Sequence, residues 1–237
     1  MLEIACFTPS SALTAAHSGA DRIELCSSYT LGGTTPSISS LLAIRRETSV
    51  PVNIMIRPRG GDFHYSAAEF EQMRLDVALF APLASGLVFG ILDARGHVDV
   101  ARNSELVDIA APLPCTFHRA IDEVGDLDAG LDMVVACGFR SVLLSGGTKT
   151  AEEGMERVRV LQEKFGGRVC LVLGGGVRNG NVERLKRGTG VEWVHSAAIN
   201  GEGEEVDGEE VRRLKGVLEG MQREKQNDVS KDQEMEH

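Results

Sequence analysis

The sequence predicts an α/β chain, a (β/α)8 TIM barrel in a single domain, and three observations carry that expectation. Short apolar or alternating runs recur eight times, segments of helical period lie between them, and glycine-rich turns collect on the strand-to-helix side. Strict β-α alternation with short connections calls for a parallel sheet, and eight units is the number at which such a sheet closes. The 237 residues suit one barrel better than two domains with separate cores. A doubly wound open sheet is the structural alternative.

In chain order the strands are expected at 2–7, 22–26, 52–56, 87–92, 115–118, 141–145, 169–173 and 192–195. Helical spacing is clearest at 37–48, 66–84, 127–137 and 151–165, several of these opened by Ser, Thr or Asp in a capping position. An eighth helix follows from Val211, Leu214, Val217, Leu218 and Met221, which recur at helical spacing. The barrel is expected to span 1–223. Residues 224–237 are polar with no period and read as a disordered, solvated C-terminal tail.

Composition narrows the partners. A formal net charge of -10 excludes an extended nucleic-acid surface, which needs clustered Lys and Arg. No apolar run approaches the roughly 20 residues needed to cross a bilayer, and the N-terminus lacks a basic region followed by an apolar one. The five cysteines are odd in number, widely spaced and form no CxxC pair, so neither a disulfide framework nor a structural zinc site is expected. A reduced, cytoplasmic setting follows, with no membrane and no nucleic acid, and with a metal ion or small anion as partner.

Parallel barrel strands are buried on both faces, so polar residues pointing into the lumen ask for a reason. By the two-residue strand period Glu24 shares a face with Cys26, Asn53 with Met55 and Arg57, Thr116 with His118, and Leu143 with Ser145. Each set reaches the C-terminal end of its strand, where barrel enzymes keep their active sites. Glu24 and Arg57, on neighbouring strands, are placed to pair across the lumen. Arg59 and Asp62 flank Gly60-Gly61 in the following loop, as candidates for anion contact and for capping or catalysis. Gly174, Gly175 and Gly176 follow strand seven, where barrels often bind phosphate through backbone amides; the competing reading is a tight turn. His195 is a candidate nitrogen donor on strand eight.

Three strings make the chain resemble a known family: Ala20-Asp21-Arg22-Ile23-Glu24-Leu25-Cys26, Met55-Ile56-Arg57-Pro58-Arg59-Gly60-Gly61-Asp62-Phe63, and Thr116-Phe117-His118-Arg119-Ala120. They resemble the signatures of the CutC copper-homeostasis family, and the likeness runs from Glu3 to about Ala198. The resemblance implies a cytoplasmic TIM-barrel protein linked to copper tolerance and binding Cu(I), a soft ion that favours thiolate and thioether sulfur. Cys26 stands at the family's second-strand cysteine, with Met55 as the nearest soft supplement. Where the family often carries a first-strand cysteine this chain has Ala5, and Cys6, one residue on, faces the opposite way. An alternative is an enzyme on a small carboxylate or phosphate, with His118 as acid/base, Glu24 and Asp62 beside it, Arg57 and Arg59 as anion clamp, and Ser145 and the glycine turn as ligand contacts. A scaffold associating through barrel helices is a third reading, and a homo-oligomer is expected in each.

Overall fold

The computed structural model describes the backbone of residues 1–201 and 203–235, and the side chains to residue 224 together with Gln226. Its strands are β1 (Leu2–Cys6), β2 (Arg22–Leu25), β3 (Val52–Met55), β4 (Gly86–Phe89), β5 (Cys115–Phe117), β6 (Ser141–Leu144), β7 (Cys170–Leu173) and β8 (Trp193–Ser196). They pair in chain order, all parallel, and β8 returns to β1 to close the barrel. Closure removes both sheet edges, so every strand finds two backbone partners. The helices are α1 (Pro9–His17), α2 (Ile38–Glu47), α3 (Ala67–Phe80), α4 (Val100–Ala110), α5 (Leu127–Ala136), α6 (Met155–Phe165), α7 (Val182–Thr189) and α8 (Gly208–Met235).

The expected capping residues act as caps. Thr8 accepts from Ser11 N with Pro9 opening α1, Ser37 accepts from Ser40 N, and Ser66 and Glu69 form a reciprocal capping box on α3. Asp99 and Asp126 cap α4 and α5. The last helix continues past residue 223, where the sequence reading ends the barrel: α8 runs to Met235. Residues 224–235 contain neither Gly nor Pro and are rich in Glu, Lys and Gln, so helix propensity carries the backbone on without an apolar period. Residues 236 and 237 lie outside the described residues.

Two apolar sets divide the interior. Strand residues facing the helices, such as Ile4, Cys6, Ile23, Leu25, Ile54, Ile56, Leu87, Phe89, Phe117, Leu144 and Leu173, are buried in one continuous layer beneath the helices. The lumen holds a much smaller apolar set of Cys26, Met55 and Val88, with Phe7 packed against it. Its remaining inward positions include Glu3, Glu24, Asn53, Arg57, Thr116 and His118, all buried. The outer layer supplies most of the hydrophobic stabilisation. The lumen is left to polar chemistry.

Candidate functional site

At the C-terminal end of the strands a cavity of about 430 Å³ opens. Its lining includes Glu24, Cys26, Met55, Arg57, His118 and His195, joined by Gly175, Gly176 and Arg178 from the loop after β7. The two-residue strand period, carried just past the strand ends, brings these residues together: Glu24 lies on β2 with Cys26 one residue beyond it, Met55 ends β3 with Arg57 two residues on, His118 directly follows β5, and His195 lies on β8.

The floor on the β1–β2–β8 side is a chain of ionisable groups. Glu3 is fully buried and receives Arg22 Nε at 2.5 Å and His195 Nδ1 at 2.8 Å. Burial alone would raise the Glu3 pKa, but the His195 hydrogen bond and the Arg22 charge outweigh it and hold the carboxyl below its usual range. With Nδ1 bound to Glu3, the other ring nitrogen of His195 faces Glu24 Oε2 at 3.9 Å. Burial works against the imidazolium, yet the Glu24 charge and the Glu3 hydrogen bond raise its pKa. Glu24 goes the other way: burial lifts its pKa, His195 opposes, and the nearby Glu3 adds to the rise. Glu3, Glu24 and His195 each offer a ligand atom within 4.8 Å of the others.

The Cys26 thiol donates to Glu24 Oε2 at 3.6 Å. Burial first, and then the Glu24 charge, push its pKa well up, so the resting group is a thiol. Cys26 Sγ and the Met55 methyl approach one point beside Gly33, 3.3 and 3.8 Å from where a Cβ on that residue would sit. Ala5 lines the same cavity without a sulfur, whereas Cys6 points outward and donates to Ile4 O.

Glu24 and Arg57 do not form the ion pair expected from their neighbouring strands. The Arg57 guanidinium reaches up into the loops, where Nη1 donates to the carbonyls of Leu31, Gly32 and Gly33 at 3.0–3.2 Å and Nη2 donates to Gly61 O at 2.7 Å. The Phe63 ring lies 4.7 Å from its centre. Arg57 therefore ties the loop after β2 to the loop after β3, and its side chain is too long to stop at the level of Glu24.

His118 is buried, with Nδ1 accepting from Ala120 N at 3.3 Å. That bond places the ring proton on Nε2. Burial, and then the Arg57 charge, lower its pKa to about 3. The imidazole is thus neutral, with its proton on Nε2. Gly90 makes room for it: a Cβ there would sit 2.8 Å from His118 Nδ1.

Four other candidates lie outside the cavity lining. Arg59 pairs with Asp62 at 2.9 Å and Glu69 at 2.6 Å, and Asp62 is largely exposed. Ser145 is held outside the lining by its partners: its amide and hydroxyl donate to Asp122, and it accepts from Arg119 Nη2 at 2.6 Å. Gly174 packs against Leu143, while Gly175 and Gly176, both at positive φ, reach the cavity. Sequence reasoning missed Glu3 and Arg178. Glu3 had a legible signal, a carboxylate in an otherwise apolar strand; Arg178 sits in a loop where no period applies.

The CutC family model matches residues 1–200 of the chain. The copper homeostasis protein cutC homolog of Homo sapiens is 44% identical over 200 residues, covering 84% of this chain and 73% of its own. A CutC family protein of Edwardsiella ictaluri is 42% identical over 198 residues, covering 83% and 78%. Among solved structures, the CutC protein from Streptococcus agalactiae superposes with a TM-score of 0.78 at 30% identity, over 83% of this chain and 98% of that one. Phosphoribosylanthranilate isomerase from Thermotoga maritima, with a TM-score of 0.61 at 15% identity over 92% and 98% of the two chains, shares the fold alone.

Proposed function

Because the chain belongs to the CutC family, we propose that it serves copper homeostasis by holding Cu(I) at the barrel mouth, with Cys26 and Met55 as sulfur donors. The observation that carries this reading is the pair of soft side chains in the lumen, side by side against Gly33 and lining the mouth. Thiolate and thioether fit Cu(I), which oxygen ligands hold poorly. The ion when bound supplies a soft Lewis acid. The rest falls to the chain: Cys26 gives up its proton to become a ligand, Glu24 stands 3.6 Å away to receive it, and Glu3 fixes the orientation of His195 beside them.

Competition with a Cu(I) chelator under reducing conditions tests the assignment. Cys26→Ser is expected to weaken binding at least tenfold and Met55→Leu by less, with Cys170→Ser, at the far end of the barrel, unchanged. Equal losses in Cys26→Ser and Cys170→Ser would sink it. A cytoplasmic setting and self-association belong to the same proposal, checked by cell fractionation and by light scattering of the purified chain. Among the described residues no helix is long and apolar enough to cross a membrane.

A further inference from the structure

Copper binding by sulfur leaves part of the mouth without a task. Two buried polar atoms on residues lining this one cavity have no hydrogen-bond partner among the described residues: Glu24 Oε1 and His118 Nε2. Buried polar groups are nearly always satisfied in folded proteins, so two around one cavity point to a polar ligand that completes them. Their placement gives its shape. β2 and β5 lie three strands apart in a ring of eight, so Glu24 and His118 face one another across the lumen. One offers a carboxylate oxygen, the other a fixed N–H.

The rim toward β7 and β8 has a different character. Arg178 donates only to neutral groups, to Val177 O at 2.8 Å, Ser196 Oγ at 3.0 Å and Ile199 O at 3.3 Å, and forms no ion pair among the described residues. The amides of Gly175 and Gly176 make no hydrogen bond among the described residues, and a Cβ on Gly176 would meet nothing within 4 Å. Arg57 adds a second guanidinium without a carboxylate. An uncompensated positive charge beside open backbone amides, after the seventh strand of a barrel, is suited to a phosphate group.

We propose that the mouth is also a catalytic site for proton transfer on a small phosphorylated carbonyl compound, with Glu24 as base, His118 as donor to the carbonyl oxygen, and Arg178 with the Gly175-Gly176 turn as the phosphate seat. Glu24 Oε1 removes the proton from the carbon next to the carbonyl. The C–H electron pair becomes the C=C bond of an enediolate, and the carbonyl π electrons move onto oxygen, where the His118 Nε2–H holds the developing charge. A proton then passes from the neighbouring hydroxyl to the charged oxygen, Glu24 returns its own proton to the former carbonyl carbon, the former hydroxyl carbon becomes the carbonyl, and the protein is unchanged. No oxidant, reductant or metal enters the balance. A neutral imidazole serves as donor here because its proton stays on the ring throughout.

The probes are dihydroxyacetone phosphate and glyceraldehyde 3-phosphate in D2O, with copper removed by a Cu(I) chelator and exchange at the carbon next to the carbonyl followed by proton NMR. The wild type is expected to exchange above the protein-free blank. Glu24→Gln is expected to lower the rate at least 10²-fold, on the order of what a lost general base costs, and His118→Gln about 10²-fold, as for a lost oxyanion donor. Arg178→Met is expected to raise KM tenfold or more with a smaller change in kcat. If Glu24→Gln does not fold, Glu24→Asp keeps the charge, shortens the reach and is expected to lose exchange. Inorganic phosphate gives an independent readout: it is expected to raise the melting temperature of the wild type and not of Arg178→Met. No exchange above the blank with either compound, or exchange untouched by both Glu24 variants, overturns the catalytic assignment. Equal protection of wild type and Arg178→Met by phosphate overturns the seat. Neither outcome bears on Cu(I) retention by Cys26, which the chelator competition reads separately.

Discussion

Replacing Glu3 by Gln removes one negative charge and leaves the volume almost unchanged. In the native barrel that charge lies between Arg22 Nε at 2.5 Å and His195 Nδ1 at 2.8 Å, with Arg22 also stacked 4.0 Å over Trp193. The variant leaves both cations at the closed end of the lumen facing a neutral amide. Breaking a buried pair from one side costs about 3–5 kcal/mol, on the order of 6–20 °C in melting temperature for a chain of this length. The pH dependence gives a second handle. The Glu3 pKa is depressed, so its contribution is complete above the unfolded value near 4.3 and fades as pH falls through the lower folded value. The His195 pKa is raised, so its contribution is complete below the unfolded value near 6.5 and fades as pH rises through the higher folded value. The stability gap between wild type and variant should therefore be widest between about pH 4.3 and 6.5 and should narrow in acid. Denaturant melts across pH, with NMR titration of His195, read both effects. A gap below about 1 kcal/mol at pH 6, or a His195 pKa that does not fall in the variant, would refute the charge chain; the threshold is the net worth of an ordinary hydrogen bond.

Two further outcomes follow from the same geometry. Arg57→Met is expected to cost about 2–4 kcal/mol whether or not an anion is present, because its charge-assisted bonds hold two loops together and pair with no carboxylate; hydrogen exchange should rise at residues 31–33 and 60–61, and a loss seen only in the presence of ligand would contradict the loop-tie role. His118 should stay neutral from pH 8 down to about pH 4 by nitrogen NMR, as its pKa lies near 3. A lowered pKa means the unfolded chain takes the proton first, so stability falls as pH drops below about 6.5, and His118→Gln should flatten that slope.

The barrel was legible because its two periodicities are physically enforced. A strand buried under helices on one face and facing the lumen on the other must keep its apolar residues toward the helices, and the eight runs mark those positions within a residue at each end, except the fourth, which was carried three residues too far. The same alternation placed Glu24, Cys26, Met55, Arg57 and His118 inward, and all five line the cavity. It held one or two residues past the strand ends at Cys26, Arg57 and His118 and failed at Ser145, one residue beyond β6, whose amide and hydroxyl are taken by Asp122. Arg59 and Asp62 close on each other because the intervening Gly60-Gly61 lets the loop fold back, at a φ of 83° for Gly61. The reach of a side chain is equally invisible to a period of two: Arg57 begins beside Glu24 and ends among the carbonyls of the next loops.

The copper and proton-transfer readings meet on one carboxylate, and this constrains how they coexist. Glu24 Oε2 accepts the Cys26 thiol and faces His195, while Oε1 has no partner. A thiol that becomes a ligand must lose its proton, and the nearest acceptor is Glu24, whose pKa burial has raised toward accepting it. A Glu24 so protonated no longer removes a proton from carbon.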